Sequence, residues 1–188
     1  MLSTIDCRPT RPVLAYIGLG ANLGEKEKAL QEAASEIATL DKTTLCEVSS
    51  LYVTEPIEAT GDDYLNAVIS VATELTAREL LHALQKIEKQ HGRIRPKGVV
   101  NAPRTLDLDL LLYGNITSEE AELELPHPRL LTRAFVLVPL REITSEAFKI
   151  AGKGLDEWIQ AVRTQRIEKH VDRKSFLDAV QTKIKLRK

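Results

Sequence analysis

A short run in which leucine and aspartate alternate, TLDLDLLL at residues 105–112, limits the fold more than any other stretch of this chain. In a β-strand, successive side chains point to opposite faces, so Asp107 and Asp109 share one face with Cα atoms roughly 6.5–7 Å apart. The leucines between them then face a core. Two carboxylates side by side on a half-buried surface repel each other and lose hydration. The pattern therefore predicts positive charge beside them.

A basic segment directly precedes this strand. Residues 89–104 read KQHGRIRPKGVVNAPR and contain five Lys/Arg residues and no acid. Carboxylate oxygens suit Mg²⁺, which takes one or two carboxylates plus water and substrate phosphates, and guanidinium groups bind phosphate oxygens in pairs. The combination favours metal-assisted phosphoryl transfer, in which catalysis is mostly positioning and charge neutralisation. Surface ion pairs of Asp107 and Asp109 with Arg104 and Arg95 are the simpler alternative, because D-x-D alone is a weak pattern.

The order of the elements predicts an α+β fold. Strand-like and helical segments follow one another as β-α-β-β-α-β, at 13–20, 25–40, 47–56, 64–75, 77–91 and 105–113. This order is typical of a ferredoxin-like core with a mainly antiparallel sheet; with extra helices we expect three α-β-α layers. Because such a fold hosts many functions, the site residues must decide the chemistry.

The chain length of 188 residues predicts one domain with appendages. We expect a flexible N-terminal tail over 1–12, the domain over 13–165 and a basic C-terminal helical extension over 166–188. Residues 163–188 carry nine Lys/Arg and three Asp/Glu, a net charge of +6, whereas the rest of the chain sums to −7. Apolar residues recur at helical spacing in the extension, at Phe176, Val180 and Ile184. We expect the extension to pack on the domain; binding a partner, or no role, are the alternatives.

The cysteines and the N-terminus bear on localisation. Cys7 and Cys46 have no metal-ligand spacing, and the first twelve residues contain no apolar segment of the kind that directs secretion. No apolar run approaches the length of a membrane span. We therefore expect a cytoplasmic protein with reduced cysteines and no membrane partner. We also expect a monomer that acts on small molecules, without a nucleic-acid partner.

Several other positions are candidates for binding. Gln85 and Glu88 lie three residues apart on the second predicted helix, although a solvated helix face has the same pattern. His127 lies between two prolines, where it could donate to a phosphate or serve only as a turn residue. Tyr64 and Asn66 share a strand face and could contact a flat heterocycle, although such a tyrosine commonly packs in a core.

The glycine-containing segment GLGANLG at 18–24 lacks the Lys-Ser/Thr pair of a phosphate-binding loop. We interpret it as a tight turn in which Asn22 holds neighbouring backbone.

Taken together, these stretches resemble the 6-hydroxymethyl-7,8-dihydropterin pyrophosphokinase family of folate biosynthesis. The matching segments, in chain order, are AYIGLGANLG (15–24), SSLYVTEP (49–56), DYLNAV (63–68), QKIEKQHGRIR (85–95), APRTLDLDLLLYG (102–114) and PHPRLLTRAFVLVPL (126–140). PRTLDLD followed by PHPR is far more specific than either part alone. The resemblance makes residues 13–165 the pyrophosphokinase domain.

The resemblance implies a reaction in which ATP gives its β,γ-pyrophosphoryl unit to the hydroxymethyl oxygen of the pterin, leaving AMP. It implies that Asp107 and Asp109 hold two Mg²⁺ ions that bridge the triphosphate. The residues that it implies for the phosphates and the nucleotide are Arg93 and Arg104 for charge neutralisation, Arg95 and Arg133 for binding phosphates, and Gln85, Glu88 and His127 along the nucleotide. Those that it implies for the pterin are Tyr64 and Phe135 on the ring faces, Asn66 at the polar edge, and Thr54, Glu55 and Ile57 beside it.

The chain departs from the family pattern at several positions. Asn101-Ala102 replaces a frequent Trp-Gly, Glu55 replaces a frequent proline, and Glu122 and Glu124 replace a basic residue and a threonine found in some members. The extension beyond about residue 165 exceeds the usual length.

Two other functions are less favoured. A D-x-D glycosyltransferase usually needs a larger nucleotide-binding domain and would not require PHPR or DYLNA. A ferredoxin-like RNA-binding module would carry aromatic residues in the middle of its strands, and this chain has no R-G-F-x-F-like string.

Overall fold

The computed structural model describes residues 4–56, 62–92 and 105–187. The strands and α-helices, in chain order, are β1 (Val13–Ala21), α1 (Lys26–Ala38), β2 (Thr43–Val48), β3 (Leu51–Thr54), β4 (Tyr64–Thr73), α2 (Ala77–Gln90), β5 (Asp107–Tyr113), β6 (Ser118–Glu120), β7 (Leu123–Leu125), α3 (Ala134–Glu142), β8 (Lys149–Ile150), β9 (Lys153–Gly154), α4 (Leu155–Ala161), β10 (Ile167–Val171) and α5 (Arg173–Arg187). Short 3-10 helices span Thr4–Asp6 and Leu130–Thr132.

The central sheet has six strands in the order β10-β3-β4-β1-β5, with β2 pairing to β4 beside β3. All of its strand pairs are antiparallel. Because β2 pairs with the second half of β4 and β3 with its first three residues, β2 and β3 act as one bent strand. With β2 and β3 counted as one strand, the elements from β1 to β5 follow the order β-α-β-β-α-β. The predicted fold class is confirmed.

Helices cover both faces of the sheet and make the three layers that the sequence predicts. On one face, α1, α2 and α5 bury a core that includes Leu30, Ile37, Leu80, Leu84 and Phe176. On the other face, α3 and α4 bury a second core that includes Val68, Leu111, Leu137, Leu140 and Leu155. Within the described ranges, none of the helices combines the length and the apolar character needed to cross a membrane.

Local sequence signals explain where α2 begins and ends. The Thr76 hydroxyl accepts a hydrogen bond from the Glu79 amide at 3.1 Å, and the Glu79 carboxylate accepts one from the Thr76 amide at 2.8 Å. This reciprocal pair is a capping box, which the Thr-x-x-Glu spacing before an apolar helical pattern predicts. After the helix, Gly92 has a φ of +77°, a conformation that glycine adopts without strain.

Both ends of the described chain pack against the fold. The sequence predicts a flexible tail over 1–12, yet Ile5 is fully buried and Asp6 forms an ion pair with Arg78 at 2.6 Å. At the other end, β10 joins the sheet beside β3, a strand that the helical pattern of the extension does not predict. Phe176 and Val180 of α5 are fully buried, in agreement with the predicted packing.

The positive charge of the extension is met by acidic residues of the domain. Lys183 lies 3.5 Å from Glu32 of α1, and Arg187 lies 2.6 Å from Glu36 one helical turn later. Arg173 of α5 also pairs with a carboxylate, on β2. The uneven charge distribution along the sequence therefore becomes a set of contacts between α5 and the domain.

Candidate active site

The two aspartates lie on β5, which is at one edge of the sheet, and project from the same face. In the β1–β5 register, Asp107 is opposite Gly20 and Asp109 is opposite Gly18. Leu108 and Leu110 point the other way into the first core, as the alternation predicts. Since the glycines have no side chains, neighbouring side chains approach the backbone of β1 here: Leu111 at Gly18 and Asn66 at Gly20.

Gly20 is surrounded closely on this face. It pairs with Asn66 of β4 on one side and with Asp107 on the other. A Cβ atom on Gly20 would lie 2.9 Å from Asn66 Oδ1, closer than such atoms approach, and 4.0 Å from Asp107 Cβ. The interpretation of residues 18–24 as a turn is thus wrong for its first half, because β1 continues through Ala21. Glycines at alternate positions of a strand were the signal for this close approach.

The side chain of Asn66 is fixed by a neighbour. Its Nδ2 donates a hydrogen bond to Thr54 Oγ1 at 2.8 Å, and both residues are buried. Tyr64 is half-buried and shares a face of β4 with Asn66, opposite Thr54 in the β3–β4 register. The register therefore brings three of the residues predicted to bind pterin onto the sheet face that carries the aspartates.

Helix α3 closes one side of the resulting cleft. Phe135 and Val136, in its first turn, line the cleft together with the two glycines, Asn66, Asp107 and Asp109. Phe135 remains partly exposed there. The guanidinium carbon of Arg133, the residue immediately before the helix, lies 5.2 Å from the centre of the Phe135 ring, a cation–π contact.

His127 is held at the same corner by its backbone and its ring. Its amide donates to the Leu111 carbonyl at 2.9 Å, and its Nδ1 accepts a hydrogen bond from the Arg129 amide at 3.2 Å. We therefore assign the proton of the neutral ring to Nε2, which lies 3.9 Å from Asp109 Oδ2. Burial lowers the pKa of His127 below its usual value, and Arg133 and Arg129 act in the same direction against the opposing effect of Asp109.

The two residues predicted on α2 have different environments. Gln85 is exposed, whereas Glu88 is buried, so the solvated-face alternative is wrong for Glu88. Glu88 Oε1 accepts a hydrogen bond from the backbone amide of Leu108 at 2.8 Å. Glu88 is therefore tied to the backbone of the residue between Asp107 and Asp109.

Of the five remaining predicted residues, the structure describes only Glu55, which is not among the residues that line the cleft. Glu55 is exposed, and its Oε1 accepts a hydrogen bond from the Arg166 amide at 3.5 Å. The others lie outside the described residues: Ile57, Arg93, Arg95 and Arg104. The alternative that pairs the aspartates with Arg104 and Arg95 lies outside them too.

The donor set suits a magnesium ion that is shared with a substrate. Within residues 4–56, 62–92 and 105–187, no group of three or more His, Cys, Asp or Glu side chains forms a metal cage. Magnesium is usually bound through one or two carboxylates plus water and substrate phosphates rather than by an all-protein cage. Asp107 and Asp109, on one face of one strand, fit that mode of binding.

Comparison with known proteins agrees with this geometry. The family model described as 7,8-dihydro-6-hydroxymethylpterin-pyrophosphokinase (HPPK) matches residues 16–145. The chain belongs to the HPPK family. The matched segment contains every residue that lines the cleft, whereas β10 and α5 follow it.

Two curated relatives are named 2-amino-4-hydroxy-6-hydroxymethyldihydropteridine pyrophosphokinase. The protein from Haemophilus influenzae is 42% identical over 135 residues, which cover 71% of this chain and 83% of that relative. The protein from Bacillus subtilis is 40% identical over 139 residues, with coverage of 73% and 82%. Both alignments extend over most of the HPPK relative.

Solved structures with the HPPK name show the same fold at low identity. A crystal structure of HPPK-DHPS in complex with substrates has a TM-score of 0.62 and 12% identity, and covers 81% of this chain and 43% of that one. A crystal structure of wild-type Plasmodium falciparum HPPK-DHPS with SDX-DHP has a TM-score of 0.61 and 13% identity, with coverage of 86% and 46%. The chain thus spans less than half of each of those longer chains, and the likeness concerns the fold alone.

Proposed function

We propose that this chain transfers the pyrophosphoryl unit of ATP to 6-hydroxymethyl-7,8-dihydropterin, a step of folate biosynthesis. The hydroxymethyl oxygen forms a bond to the β-phosphorus, the bond from that phosphorus to the oxygen of AMP breaks, and the hydroxyl proton is released. The observation that carries the proposal is the pair of aspartates on one face of β5, opposite two glycines of β1, in a chain of the HPPK family.

The metal requirement follows from the charges that meet in this reaction. Asp107 and Asp109 would hold magnesium, with two ions as the sequence resemblance implies. Bound magnesium would neutralise the triphosphate oxygens and fix their orientation. The two carboxylates would hold the ions at the edge of the sheet, on the face that also carries Asn66.

The phosphates are bound on the side of the cleft near α3. Burial lowers the pKa of His127, which favours the neutral ring with an N–H at Nε2 as a hydrogen-bond donor. Arg133, over the Phe135 ring, adds a positive charge that acts on His127. Arg93, Arg95 and Arg104 complete the set of cations that neutralise the transferred group in this proposal, with Gln85 and Glu88 nearer the nucleoside.

The pterin is bound on the β4 side. Asn66 reads the polar edge of the ring, because a fixed amide offers both a donor and an acceptor to a flat heterocycle. Phe135 and Tyr64 supply apolar surfaces for the ring faces, with Thr54 and Ile57 around it. In the proposal, the enzyme works as a monomer in the cytoplasm.

The test is the release of AMP from ATP by the purified protein. We expect AMP to form only when 6-hydroxymethyl-7,8-dihydropterin and Mg²⁺ are both present, and EDTA to abolish its formation. Chromatography or phosphorus NMR would identify the second product as the pterin pyrophosphate. Release of ADP, or AMP formation that does not depend on the pterin, would reject the proposed reaction.

A further inference from the structure

Helix α3 begins next to a residue that cannot cap it. The N-cap position is occupied by Arg133, which has an extended backbone conformation and makes no capping hydrogen bond with its side chain. A guanidinium group has only donors, so it cannot accept a bond from the free amides of a helix N-terminus. Serine, threonine, aspartate or asparagine normally fills this position. An acceptor from another part of the chain can take the place of the missing side-chain cap.

Gln165 supplies that acceptor and also holds the preceding peptide group. Its Oε1 accepts a hydrogen bond from the Ala134 amide at 2.7 Å, and its Nε2 donates to the Thr132 carbonyl at 2.8 Å. One side-chain amide thus bonds to the backbone on both sides of Arg133. Gln165 lies between α4 and β10, beyond the segment that the HPPK family model matches.

Gln165 is itself well anchored. Its amide donates to the Val162 carbonyl at 3.0 Å, and Val162 is buried in the second core. Gln165 is half-buried. The residue that makes the two hydrogen bonds on either side of Arg133 is therefore anchored to the packed structure after α4.

We propose that Gln165 is a positioning residue that acts through Arg133 and so contributes to ATP binding. By fixing the two peptide groups that flank Arg133, it sets the direction of the arginine side chain before the nucleotide arrives. The conformational entropy of ordering this arginine is then lost during folding instead of during binding. This inference rests on the proposed function, since it takes Arg133 to bind the triphosphate.

The location of Arg133 supports this role. Its guanidinium packs over Phe135, a residue of the cleft, and its charge acts on the half-buried ring of His127. Arg133 therefore lies at the same corner as Asp109, which His127 approaches. A rotation of the backbone at residue 133 would move the guanidinium away from this corner.

The experiment measures the dissociation constant of a non-hydrolysable ATP analogue with Mg²⁺ by calorimetry. Gln165→Met keeps the length of the side chain and removes both hydrogen bonds, and we expect binding to weaken about tenfold, the scale of one lost hydrogen bond to a positioned group. Gln160→Met, on the exposed face of α4, is the matched control and should bind like the unmodified protein. The KM for the pterin should change less than twofold in both variants.

A double-mutant cycle separates positioning from a purely structural role. If Gln165 acts through Arg133, Gln165→Met should change the dissociation constant less than twofold in an Arg133→Ala background. The inference would be overturned if Gln165→Met weakened ATP-analogue binding equally with and without Arg133. It would also be overturned if Gln165→Met did not weaken binding when Arg133 is present. Gln165→Glu, which keeps the acceptor for Ala134, gives the same comparison if Gln165→Met does not fold.

The outcomes also distinguish this inference from the proposed function. If the unmodified protein binds the analogue but releases no AMP with the pterin, the proposed reaction fails, and the binding data still decide the role of Gln165. If the unmodified protein does not bind the analogue, both proposals fail.

Discussion

The carboxylate of Glu88 in α2 accepts a hydrogen bond from the backbone amide of Leu108 in β5, at 2.8 Å. Leu108 lies between the two aspartates on the last strand of the sheet. An edge amide needs an acceptor from outside the sheet, and Glu88 provides it. Because a shift of this peptide moves both carboxylates, α2 takes part in setting their geometry.

Glu88→Ala should therefore affect both stability and the metal requirement. We expect the free energy of unfolding to fall by about 2 kcal/mol, because a buried amide loses a bond to a charged acceptor. The Mg²⁺ concentration for half-maximal AMP release should rise. Urea unfolding and a magnesium titration check the two effects, with Lys86→Ala on the exposed face of α2 as control. An unchanged magnesium requirement would show that Glu88 does not position the aspartates.

Asp107→Asn and Asp109→Asn test the proposed metal ligands directly. Each substitution keeps the size of the side chain and removes the charge, so we expect each to fold normally and to lower turnover by about 1,000-fold or more. The measurement is AMP release at saturating magnesium. Asp178→Asn, on the exposed surface of α5, is the control. Turnover near that of the unmodified protein in both site variants would exclude this pair as the metal site.

Gly20→Ala tests the close approach across the floor of the cleft. The added Cβ would lie 2.9 Å from Asn66 Oδ1 and should turn that amide away from Thr54. We expect the KM for the pterin to rise about tenfold with a smaller change in the KM for ATP. Gly154→Ala is the matched control, because no atom lies within 4 Å of its added Cβ. Equal KM values for the pterin in the two variants would contradict the role of Asn66.

Glu142 makes a contribution to stability that should depend on pH. Its carboxylate accepts hydrogen bonds from the amide and hydroxyl of Ser50, both at 2.7 Å, and from Lys169 at 3.3 Å. Burial alone would raise the pKa of Glu142, but these bonds outweigh burial and lower it below its usual value. Burial of the Tyr52 hydroxyl is the main cause that raises its pKa to about 12, and the charge of Glu142 is the second.

A carboxyl group with a lowered folded-state pKa stabilises the protein above its unfolded value of about 4.3, and this contribution is lost as the pH falls through the folded value. Glu142→Gln should therefore lower the free energy of unfolding by about 1–3 kcal/mol at neutral pH. The difference from the unmodified protein should shrink when urea unfolding is repeated below about pH 4. A difference that stays constant with pH would show that the charge of Glu142 is not involved.

Phe176→Ala tests whether α5 is part of the folding unit. Phe176 is fully buried between α5 and the domain, so its truncation should cost about 3–5 kcal/mol. Leu186→Ala on the same helix is the control, since Leu186 is 82% exposed and should change the free energy by less than about 0.5 kcal/mol. Thermal or urea unfolding measures both. Equal stability of the two variants would mean that α5 only rests on the surface.

Local sequence patterns predict much of the fold. The alternation at 105–112 identified β5 and the face that carries its aspartates, and the Thr76–Glu79 pair marked the start of α2. Both signals depend on residues that lie within a few positions of each other, so a single sequence contains them completely. β10 was not recognised, because its alternation is weak and only its pairing with β3 makes it a strand.

The same distinction applies to the candidate site. The sequence alone determined which chemical groups are available: two carboxylates on one strand face, a histidine between prolines, and an asparagine near the start of β4. Only the tertiary structure decided that Asn66 and Asp107 flank Gly20, that Glu88 holds the backbone of Leu108, and that Gln165 brackets Arg133. Those relationships depend on strand register and on packing between segments far apart in the chain, where no local periodicity constrains which residues meet.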